Sequence, residues 1–344
     1  MKALILKEYS QFVYEEVAEP SLSPGCVLIR VKACGICGSD VHGMDGTTGR
    51  RIPPIIMGHE ASGVIAAAGP GVHNFQAGDR VTFDSTIYCG SCFFCRRGEI
   101  NLCDNRRVLG VSCGEYRLSG AFAEYVAVPE RVLYRIPGAL SFDRAAMIEP
   151  CSIAFHAVNR CQLTINDTAV VVGAGMIGLL IIQALRLGGC GRIFAVDVED
   201  AKLDLACRLG ADTGLNSSRG DSAAEIRRLT ENRGAEVAFE AVGITPAVQT
   251  ALASVRKGGK LVLVGNLAPM VDFPLQAAVT RELTIFGCCA SRGEYGACLE
   301  MIARGKIDVD ALMSATAPLA DGAVWFDRLY RKEPGLMKVV LKPE

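Results

Sequence analysis

The stretch that decides the fold is TAVVVGAGMIGLLIIQALRL, residues 168–187. A short apolar run leads directly into Gly-x-Gly-x-x-Gly, formed by Gly173, Gly175 and Gly178, and a long apolar segment follows. Strand, glycine turn and helix in this order are the context in which the motif indicates dinucleotide binding. The first glycine makes the turn, the second lets the backbone approach a pyrophosphate, and the third allows close packing of helix on strand. A purely structural tight turn is the alternative interpretation.

The segments that follow continue the same alternation. Strands are predicted at RIFAVDV (192–198), AEVAFEAVG (235–243), KLVLVGN (260–266) and ELTIFGCCA (282–290), with helices at EDAKLDLACRLGA (199–211) and PAVQTALASVRKGG (246–259). Almost continuously apolar strands that alternate with helices are typical of a parallel sheet covered on both faces. The sequence therefore predicts an α/β fold for this part of the chain.

An acidic residue stands where the ribose of a dinucleotide is expected. Asp197 ends the strand after the glycine motif, 19 residues beyond Gly178. Its carboxylate would accept hydrogen bonds from the ribose hydroxyls and repel a 2′-phosphate, which predicts NAD rather than NADP. Glu199 adds negative charge nearby. Lys202 is a candidate for the same ribose, and a solvated helix charge is its alternative.

A second group of chemical side chains lies near the N-terminus, in CGICGSDVH (34–42) and GHE (58–60). Cys37, His59 and Glu60 offer sulfur, nitrogen and oxygen, a mixed set that favours a catalytic zinc site with one open position. Ser39 and His42 place a hydroxyl and a second imidazole close to that site. The alternatives are a redox pair in the Cys-x-x-Cys of residues 34–37 and an ordinary buried histidine.

Four further cysteines have the spacing of a metal-binding loop. Cys89, Cys92, Cys95 and Cys103 form C-x2-C-x2-C-x7-C, which lets one loop surround a tetrahedral ion with four thiolates. Similar runs bind iron–sulfur clusters, but no proline follows the last cysteine and no second cluster motif appears. We therefore predict a structural zinc ion.

Composition limits the choice of partners and compartment. The chain has 344 residues, enough for two domains, and a formal net charge of −1. This charge does not suggest a nucleic acid or an anionic membrane as partner. The pairs Arg50–Arg51 and Arg96–Arg97 are interpreted as solvated loop charge. No secretory signal and no run long enough for a membrane helix are present, so the cysteines predict a reducing, cytoplasmic location.

Taken together, the motifs resemble those of the zinc-dependent medium-chain alcohol dehydrogenases, most closely the sorbitol (polyol) dehydrogenase branch. The resemblance is carried by GICGSDVH at 35–42, GHE at 58–60, GDRV at 78–81, the four-cysteine loop at 89–103, EP at 149–150 and the glycine motif at 173–178. These motifs are spread over nearly the whole chain, and their order is specific to the family.

The resemblance implies the architecture. A GroES-like β-barrel catalytic domain with the structural zinc loop is expected at 1–150, completed by 289–344. A Rossmann domain, a doubly wound parallel sheet that binds NAD, is expected at 151–288. Two zinc ions per chain and a homodimer or homotetramer are expected as well. The edge strand for pairing between subunits would be 260–266 or 282–288.

The resemblance also implies roles for individual residues. Glu149 is the expected fourth candidate at the catalytic zinc, and relatives differ on whether the equivalent of Glu60 or of Glu149 binds directly. Ser39 would take the proton of the substrate hydroxyl, assisted by His42. The cofactor would be lined by Met176, Ile177, Val264, Gly265, Asn266, Cys289 and Ala290.

The expected reaction is zinc-dependent transfer of hydride from a secondary alcohol, a polyol or sugar-derived alcohol, to NAD, which gives a ketone. Ala290 and Ser291 stand where polyol dehydrogenases usually have an Arg–Tyr pair. A phosphorylated polyol, a sugar acid, a cyclic polyol, a vicinal diol or threonine is therefore an alternative substrate. A non-catalytic NAD-binding sensor is a further alternative, and it would predict a broken set of metal ligands.

Overall fold

The structure, a computed structural model, describes residues 1–113 and 116–343. It divides into two compact units. Unit 1 contains Met1–Glu149 and Tyr295–Glu344, and unit 2 contains Pro150–Glu294. The chain thus leaves unit 1 once and returns to it. That the units correspond to a catalytic domain and a cofactor domain stays a prediction.

The first part of unit 1 consists mostly of short strands. Its elements are β1 (Lys2–Glu8), β2 (Gln11–Glu16), β3 (Cys26–Gly35), α1 (Gly38–Gly43), β4 (Ile55–Ile56), β5 (Glu60–Ala68), β6 (Arg80–Phe83), β7 (Thr86–Ile87), α2 (Phe93–Arg96), β8 (Arg107–Val108), β9 (Ser112–Cys113), β10 (Tyr116–Arg117), β11 (Tyr125–Pro129), β12 (Leu133–Arg135) and α3 (Phe142–Ala146).

Unit 2 alternates strands and helices, and unit 1 then resumes. The elements of unit 2 are α4 (Ile148–Asn159), β13 (Thr168–Val172), α5 (Met176–Leu187), β14 (Arg192–Asp197), α6 (Asp200–Arg208), β15 (Thr213–Asn216), α7 (Ser222–Leu229), β16 (Ala235–Glu240), α8 (Thr245–Ser254), β17 (Val255–Leu263), α9 (Leu275–Thr280) and β18 (Thr284–Gly287). The returning segment adds α10 (Tyr295–Ala303), β19 (Met313–Pro318), α11 (Gly322–Tyr330) and β20 (Lys338–Lys342).

The main sheet of unit 1 is closed by the end of the chain. Its order is β12-β6-β5-β3-β20-β19, and β11 also pairs with β3. Strand β20 therefore lies directly beside β3, far from it in sequence. The apolar core of this unit includes Phe83, Phe122 and Phe326, all within 1% of complete burial. The returning segment is thus an integral part of the unit.

The sheet of unit 2 has the predicted doubly wound topology. Its six strands are all parallel, in the order β15-β14-β13-β16-β17-β18. The first strand in sequence lies in the middle, and the chain runs outward from it in both directions, as in Rossmann folds. Strand β13 is buried on both faces, which explains its continuous apolar run.

One prediction for unit 2 was wrong. The helix expected at 246–259 ends at Ser254, and the following residues belong to β17. Val255 pairs with Ala235 of the neighbouring strand, so sheet formation overrides the helical pattern. Of the two candidate edge strands, 260–266 is internal, because β17 pairs with β16 on one side and β18 on the other. The other candidate contains β18, which is one edge of the sheet, and β15 is the other edge.

The helical segment after residue 141 is divided into two helices, α3 and α4. Ser141 caps α3, and its hydroxyl accepts a hydrogen bond of 3.3 Å from the backbone N–H of Arg144. Helix α4 then starts at Ile148, so Pro150 lies in its first turn, where a missing N–H is tolerated. Among the described residues, no helix is long and apolar enough to cross a membrane.

Candidate metal and cofactor sites

Strand pairing brings the three predicted zinc ligands of unit 1 together. Cys37 follows β3 and caps α1, whereas His59 and Glu60 stand at the start of β5. Strands β3 and β5 are antiparallel, with Gly35 opposite Glu60. One ligand atom from each of the three residues lies within 4.8 Å of the others. His59 and Glu60 are buried, so the group is shielded from bulk water.

Asp40 lies directly behind the histidine of this group. It is fully buried, and its Oδ2 lies 3.5 Å from Nδ1 of His59. Neither atom has a hydrogen-bond partner among the described residues. A carboxylate facing the second ring nitrogen is the usual way in which a metal-ligating histidine is oriented. Burial disfavours the charged ring, but the charges of Asp40 and Cys37 outweigh it and raise the pKa of His59.

The donor set and its surroundings fit a zinc ion. Thiolate sulfur, imidazole nitrogen and carboxylate oxygen are ligands that zinc accepts in catalytic sites. The short distances among three donor atoms and the polar atoms behind His59 both favour a cation at this position. Three of the residues that a non-catalytic sensor would lack, Cys37, His59 and Glu60, are therefore present and assembled.

Glu60 has a strong partner that the sequence analysis missed. Lys338 of β20 is buried, and its Nζ donates to both carboxylate oxygens of Glu60, at 2.8 and 2.5 Å. It also donates to the carbonyl oxygen of Ile36 at 3.0 Å. Only sheet pairing places this lysine near the site, and the local sequence KVVLK contains no signal for it.

Glu149 is the second carboxylate that was predicted for the metal. It stands in the first turn of α4 and lies outside the group of three residues within 4.8 Å. Burial raises the pKa of Glu149 to about 8, with the nearby His59 lowering it and Glu60 raising it. The carboxyl group of Glu149 is therefore close enough to His59 and Glu60 to interact with them electrostatically. Whether Glu60 or Glu149 would bind the ion directly stays open.

Ser39 and His42 have different environments. The Ser39 hydroxyl donates a hydrogen bond of 3.2 Å to Sγ of Cys37, which places it beside a candidate metal ligand. His42 lies in the last turn of α1 with much of its surface in contact with solvent. Loss of water around its ring, together with the charge of Lys332, lowers the pKa of His42. Its role in a proton relay stays a prediction.

Two interpretations of the N-terminal sequence were wrong. Arg51 is not solvated loop charge, because it is buried and forms an ion pair of 2.7 Å with Asp40. The redox pair is disfavoured as well. Cys34 is fully buried in the apolar core, and burial raises the pKa of its thiol well above the ordinary value, which makes it unreactive.

The four-cysteine loop assembles as predicted. Sulfur atoms of Cys89, Cys92, Cys95 and Cys103 lie within 4.8 Å of one another, and all four are free thiols. Hydrogen bonds from Ser91 and from the N–H of Cys92 lower the pKa of Cys89 to about 5, which favours the thiolate that binds metal. The set fits a closed tetrahedral zinc site of structural type.

The glycine motif of unit 2 has the geometry of a phosphate loop. Gly173 has φ of +97°, which favours glycine. A Cβ on Gly178 would lie 1.8 Å from the carbonyl oxygen of Gly173, so helix and turn can approach only at glycine. A Cβ on Gly175 would meet nothing within 4 Å, which leaves its backbone accessible to a ligand. Helix α5, with Met176 and Ile177 in its first turn, presents its N-terminal N–H groups there.

Asp197 is held rigidly beside this loop. Its Oδ2 accepts a hydrogen bond from the N–H of Ala174 at 2.7 Å, and its Oδ1 accepts from Val198 and Glu199. Each oxygen keeps capacity for a further donor such as a ribose hydroxyl. Lys202 is paired with Glu199 at 2.6 Å, so its ribose contact stays a prediction.

The remaining predicted cofactor residues lie at the same edge of the sheet. They directly follow the carboxyl ends of two strands: Val264, Gly265 and Asn266 after β17, and Cys289 and Ala290 shortly after β18. Ligands of doubly wound sheets bind at this edge. The end of β16 fixes the first of these segments, because the N–H groups of Val264 and Gly265 both donate to the carbonyl oxygen of Glu240 at 2.9 Å.

Comparison with known proteins agrees with both units. Residues 23–138 match the alcohol dehydrogenase GroES-like domain, and residues 177–304 match the zinc-binding dehydrogenase family. Sorbitol dehydrogenase from Bacillus subtilis is 34% identical over 348 residues, covering 100% of this chain and 97% of that protein. D-arabitol-phosphate dehydrogenase from Enterococcus avium is 31% identical, covering 98% and 96%.

Solved structures agree as well. A zinc-binding dehydrogenase from Sinorhizobium meliloti 1021, bound to NADP, has a TM-score of 0.89 and 29% identity, with 99% of each chain covered. One unit with a doubly wound parallel sheet and one that matches the GroES-like domain and holds a mixed sulfur, nitrogen and oxygen group are the features of a zinc-type dehydrogenase. The chain belongs to the zinc-dependent medium-chain alcohol dehydrogenase family, in its polyol dehydrogenase branch. It is an oxidoreductase that uses zinc and a nicotinamide cofactor.

Proposed function

We propose that this protein oxidises a secondary alcohol, a polyol or sugar-derived alcohol, to a ketone with NAD. The observation that carries the proposal is the group of Cys37, His59 and Glu60, in which His59 and Glu60 are buried and Cys37 is partly buried. Their donor atoms lie within 4.8 Å of one another, and the Ser39 hydroxyl lies 3.2 Å from the Cys37 sulfur. A zinc-type site with an adjacent proton acceptor is the arrangement that alcohol oxidation needs.

The side chains of the two sites have separate roles in the proposed reaction. Cys37 and His59, with Glu60 or Glu149, would hold a zinc ion, and the four-cysteine loop would hold a second. When bound, zinc polarises the substrate hydroxyl and the nicotinamide accepts the hydride. Ser39 accepts the proton of the substrate hydroxyl and passes it toward His42 and solvent. Asp40 keeps the ring of His59 oriented. The cofactor is bound by the glycine loop and Asp197.

The test is NADH formation at 340 nm by the zinc-replete protein. The panel contains polyols, phosphorylated polyols, sugar acids, cyclic polyols, vicinal diols and threonine. We expect activity that is lost after chelation and in Cys37→Ala, but kept in Cys26→Ala, a matched control outside both cysteine groups. Activity that survives in Cys37→Ala would contradict the proposal.

NAD is the proposed cofactor because of Asp197. Its carboxylate is anchored by three backbone N–H groups and cannot easily turn away from a 2′-phosphate. We expect kcat/KM to be at least about tenfold higher with NAD than with NADP, a difference of roughly 1.4 kcal/mol. In Asp197→Ser, the ratio of kcat/KM with NAD to kcat/KM with NADP should fall, mainly because kcat/KM with NAD falls. A wild-type preference for NADP would refute the argument.

We further propose a cytoplasmic homodimer or homotetramer. Strand β18 is one of the two edge strands of the parallel sheet, and Ile285 on it is partly exposed. Nearby in sequence, Leu275 and Val279 of α9 are 67% and 66% exposed. An open edge with apolar side chains is suited to pairing across a two-fold axis. Light scattering should give a mass for the wild-type protein that is a multiple of the chain mass. The Ile285→Lys variant should give a lower mass.

A further inference from the structure

Arg51 is a buried arginine of unit 1, and the proposed reaction assigns it no role. Arg51 lies in the loop between α1 and β4 and is only 2% exposed. Its stem packs against Gly43, where a Cβ would come within 2.6 Å of the Arg51 Cγ. Burial of a guanidinium is costly unless its donors are satisfied. The contacts of this group therefore indicate what it is for.

The guanidinium joins two residues that stand behind the candidate zinc ligands. Nε donates to Oδ1 of Asp40 at 2.9 Å, and Nη2 lies 2.7 Å from the same oxygen. Nη2 also donates to the Ser39 hydroxyl oxygen at 3.1 Å. Nη1 donates to the carbonyl of Arg50 at 3.1 Å, which anchors the planar group to the backbone. One rigid fork thus bridges Ser39 and Asp40.

This bridge determines how the Ser39 hydroxyl is used. A serine hydroxyl has one proton to donate and two lone pairs that accept. One lone pair receives Nη2 of Arg51, and the proton is directed to the sulfur of Cys37 at 3.2 Å. One lone pair is left over to accept a hydrogen bond from the substrate hydroxyl. When Ser39 takes that proton, its own proton must turn away from the sulfur and leave toward His42 and solvent. The positive guanidinium also stabilises negative charge that develops nearby.

The same fork orients the carboxylate that faces His59. Arg51 engages Oδ1 of Asp40, and Oδ2 faces Nδ1 of His59 at 3.5 Å. Without the guanidinium, the carboxylate would lose its fixed plane and keep a buried, uncompensated charge. Mutating a residue that hydrogen-bonds a metal ligand typically lowers the metal affinity by about 10–100-fold.

We propose that Arg51 is a positioning residue of the alcohol-oxidising site, whose fork holds the Ser39 hydroxyl for proton transfer and the Asp40 carboxylate against His59. This inference rests on the proposed function. A lysine would keep the charge but lacks the planar fork, so it cannot hold both partners in the same way.

The first experiment is a double-mutant cycle with the zinc-loaded enzyme. We expect Arg51→Met to lower kcat roughly tenfold to a hundredfold with a much smaller effect on KM. If Arg51 acts through Ser39, adding Arg51→Met to the Ser39→Ala variant should lower kcat by no more than about twofold. Arg51→Lys should stay closer to Arg51→Met than to wild type. Arg30→Met, an exposed arginine on β3, is the matched control.

The second experiment does not depend on activity. Zinc release to a chromophoric chelator should be about tenfold faster for one ion in Arg51→Met and Arg51→Lys. The ion of the four-cysteine loop should leave at the wild-type rate and so acts as an internal control. Should Arg51→Met fail to fold, Arg51→Lys alone decides the matter.

The outcomes separate the inference from the proposed function. Fully additive losses in the cycle, wild-type kcat in Arg51→Lys, or unchanged zinc release would each overturn the role of Arg51. If the zinc-loaded wild type oxidises no alcohol, the proposed function fails. The release rates would then still decide whether Arg51 organises the metal group.

Discussion

Lys338 and Glu60 form a buried ion pair that ties the last strand of the chain to the candidate metal group. The ammonium donates to both carboxylate oxygens, at 2.8 and 2.5 Å, and the two side chains are 2% and 1% exposed. The charge of Lys338 is retained, since its pKa is raised: burial opposes this, but the charges of Glu60 and Cys37 outweigh burial. The returning segment of unit 1, Tyr295–Glu344, thus contributes directly to the electrostatics of the candidate metal group.

The first prediction concerns this pair. Lys338→Met leaves the Glu60 charge buried without its partner, and we expect the free energy of unfolding to fall by about 3–5 kcal/mol. Urea denaturation of the zinc-loaded protein measures this. Lys342→Met is the matched control on the same strand. It breaks a partly exposed pair with Asp143, at 2.8 Å, and should cost less than about 1 kcal/mol. Equal losses in the two variants would contradict the prediction.

The second prediction is a pH dependence in the chelated protein. Burial raises the pKa of Glu149 from 4.5 to about 8. The folded state therefore binds this proton more tightly than the unfolded state does, and the free energy of unfolding falls as pH rises between these values. Glu149→Gln should remove this part of the slope. Urea midpoints of both proteins at pH 6 and pH 8 test this, and identical slopes would show that Glu149 titrates normally.

The third prediction separates two glycines of the phosphate loop. Gly178→Ala places a Cβ 1.8 Å from the Gly173 oxygen, so we expect about 1–3 kcal/mol of destabilisation. Gly175→Ala meets nothing within 4 Å and should fold normally, yet bind NADH roughly tenfold more weakly or worse, because the methyl group obstructs the pyrophosphate. Thermal unfolding and NADH fluorescence titration measure the two effects. Normal NADH affinity in Gly175→Ala would refute the loop assignment.

The fourth prediction concerns the four-cysteine loop. Cys103→Ser should lower the zinc content from about two ions per chain to about one and reduce the melting temperature, since a structural zinc contributes directly to folding free energy. Metal analysis and calorimetry check both. Cys207→Ser, an exposed cysteine of α6, is the control and should change neither. A full complement of zinc in Cys103→Ser would exclude this residue as a ligand.

The sequence by itself determined the features that depend on neighbouring residues. The glycine turn, the apolar strand β13 and the cap at Ser141 are local, because backbone conformation and burial pattern are encoded within a few positions. The spacing of the four cysteines likewise predicts one loop around one ion. The doubly wound sheet followed from the regular alternation of such segments.

Only the tertiary structure decided what depends on distant pairing. Lys338 reaches Glu60, 278 positions away in sequence, because β20 inserts beside β3. Arg51 looked like solvated loop charge until Asp40 supplied a buried partner. Val255 starts a strand rather than continuing a helix, since it pairs with Ala235. In each case the decisive energy comes from a contact between chain segments, and such a contact leaves no periodic or local pattern in the sequence.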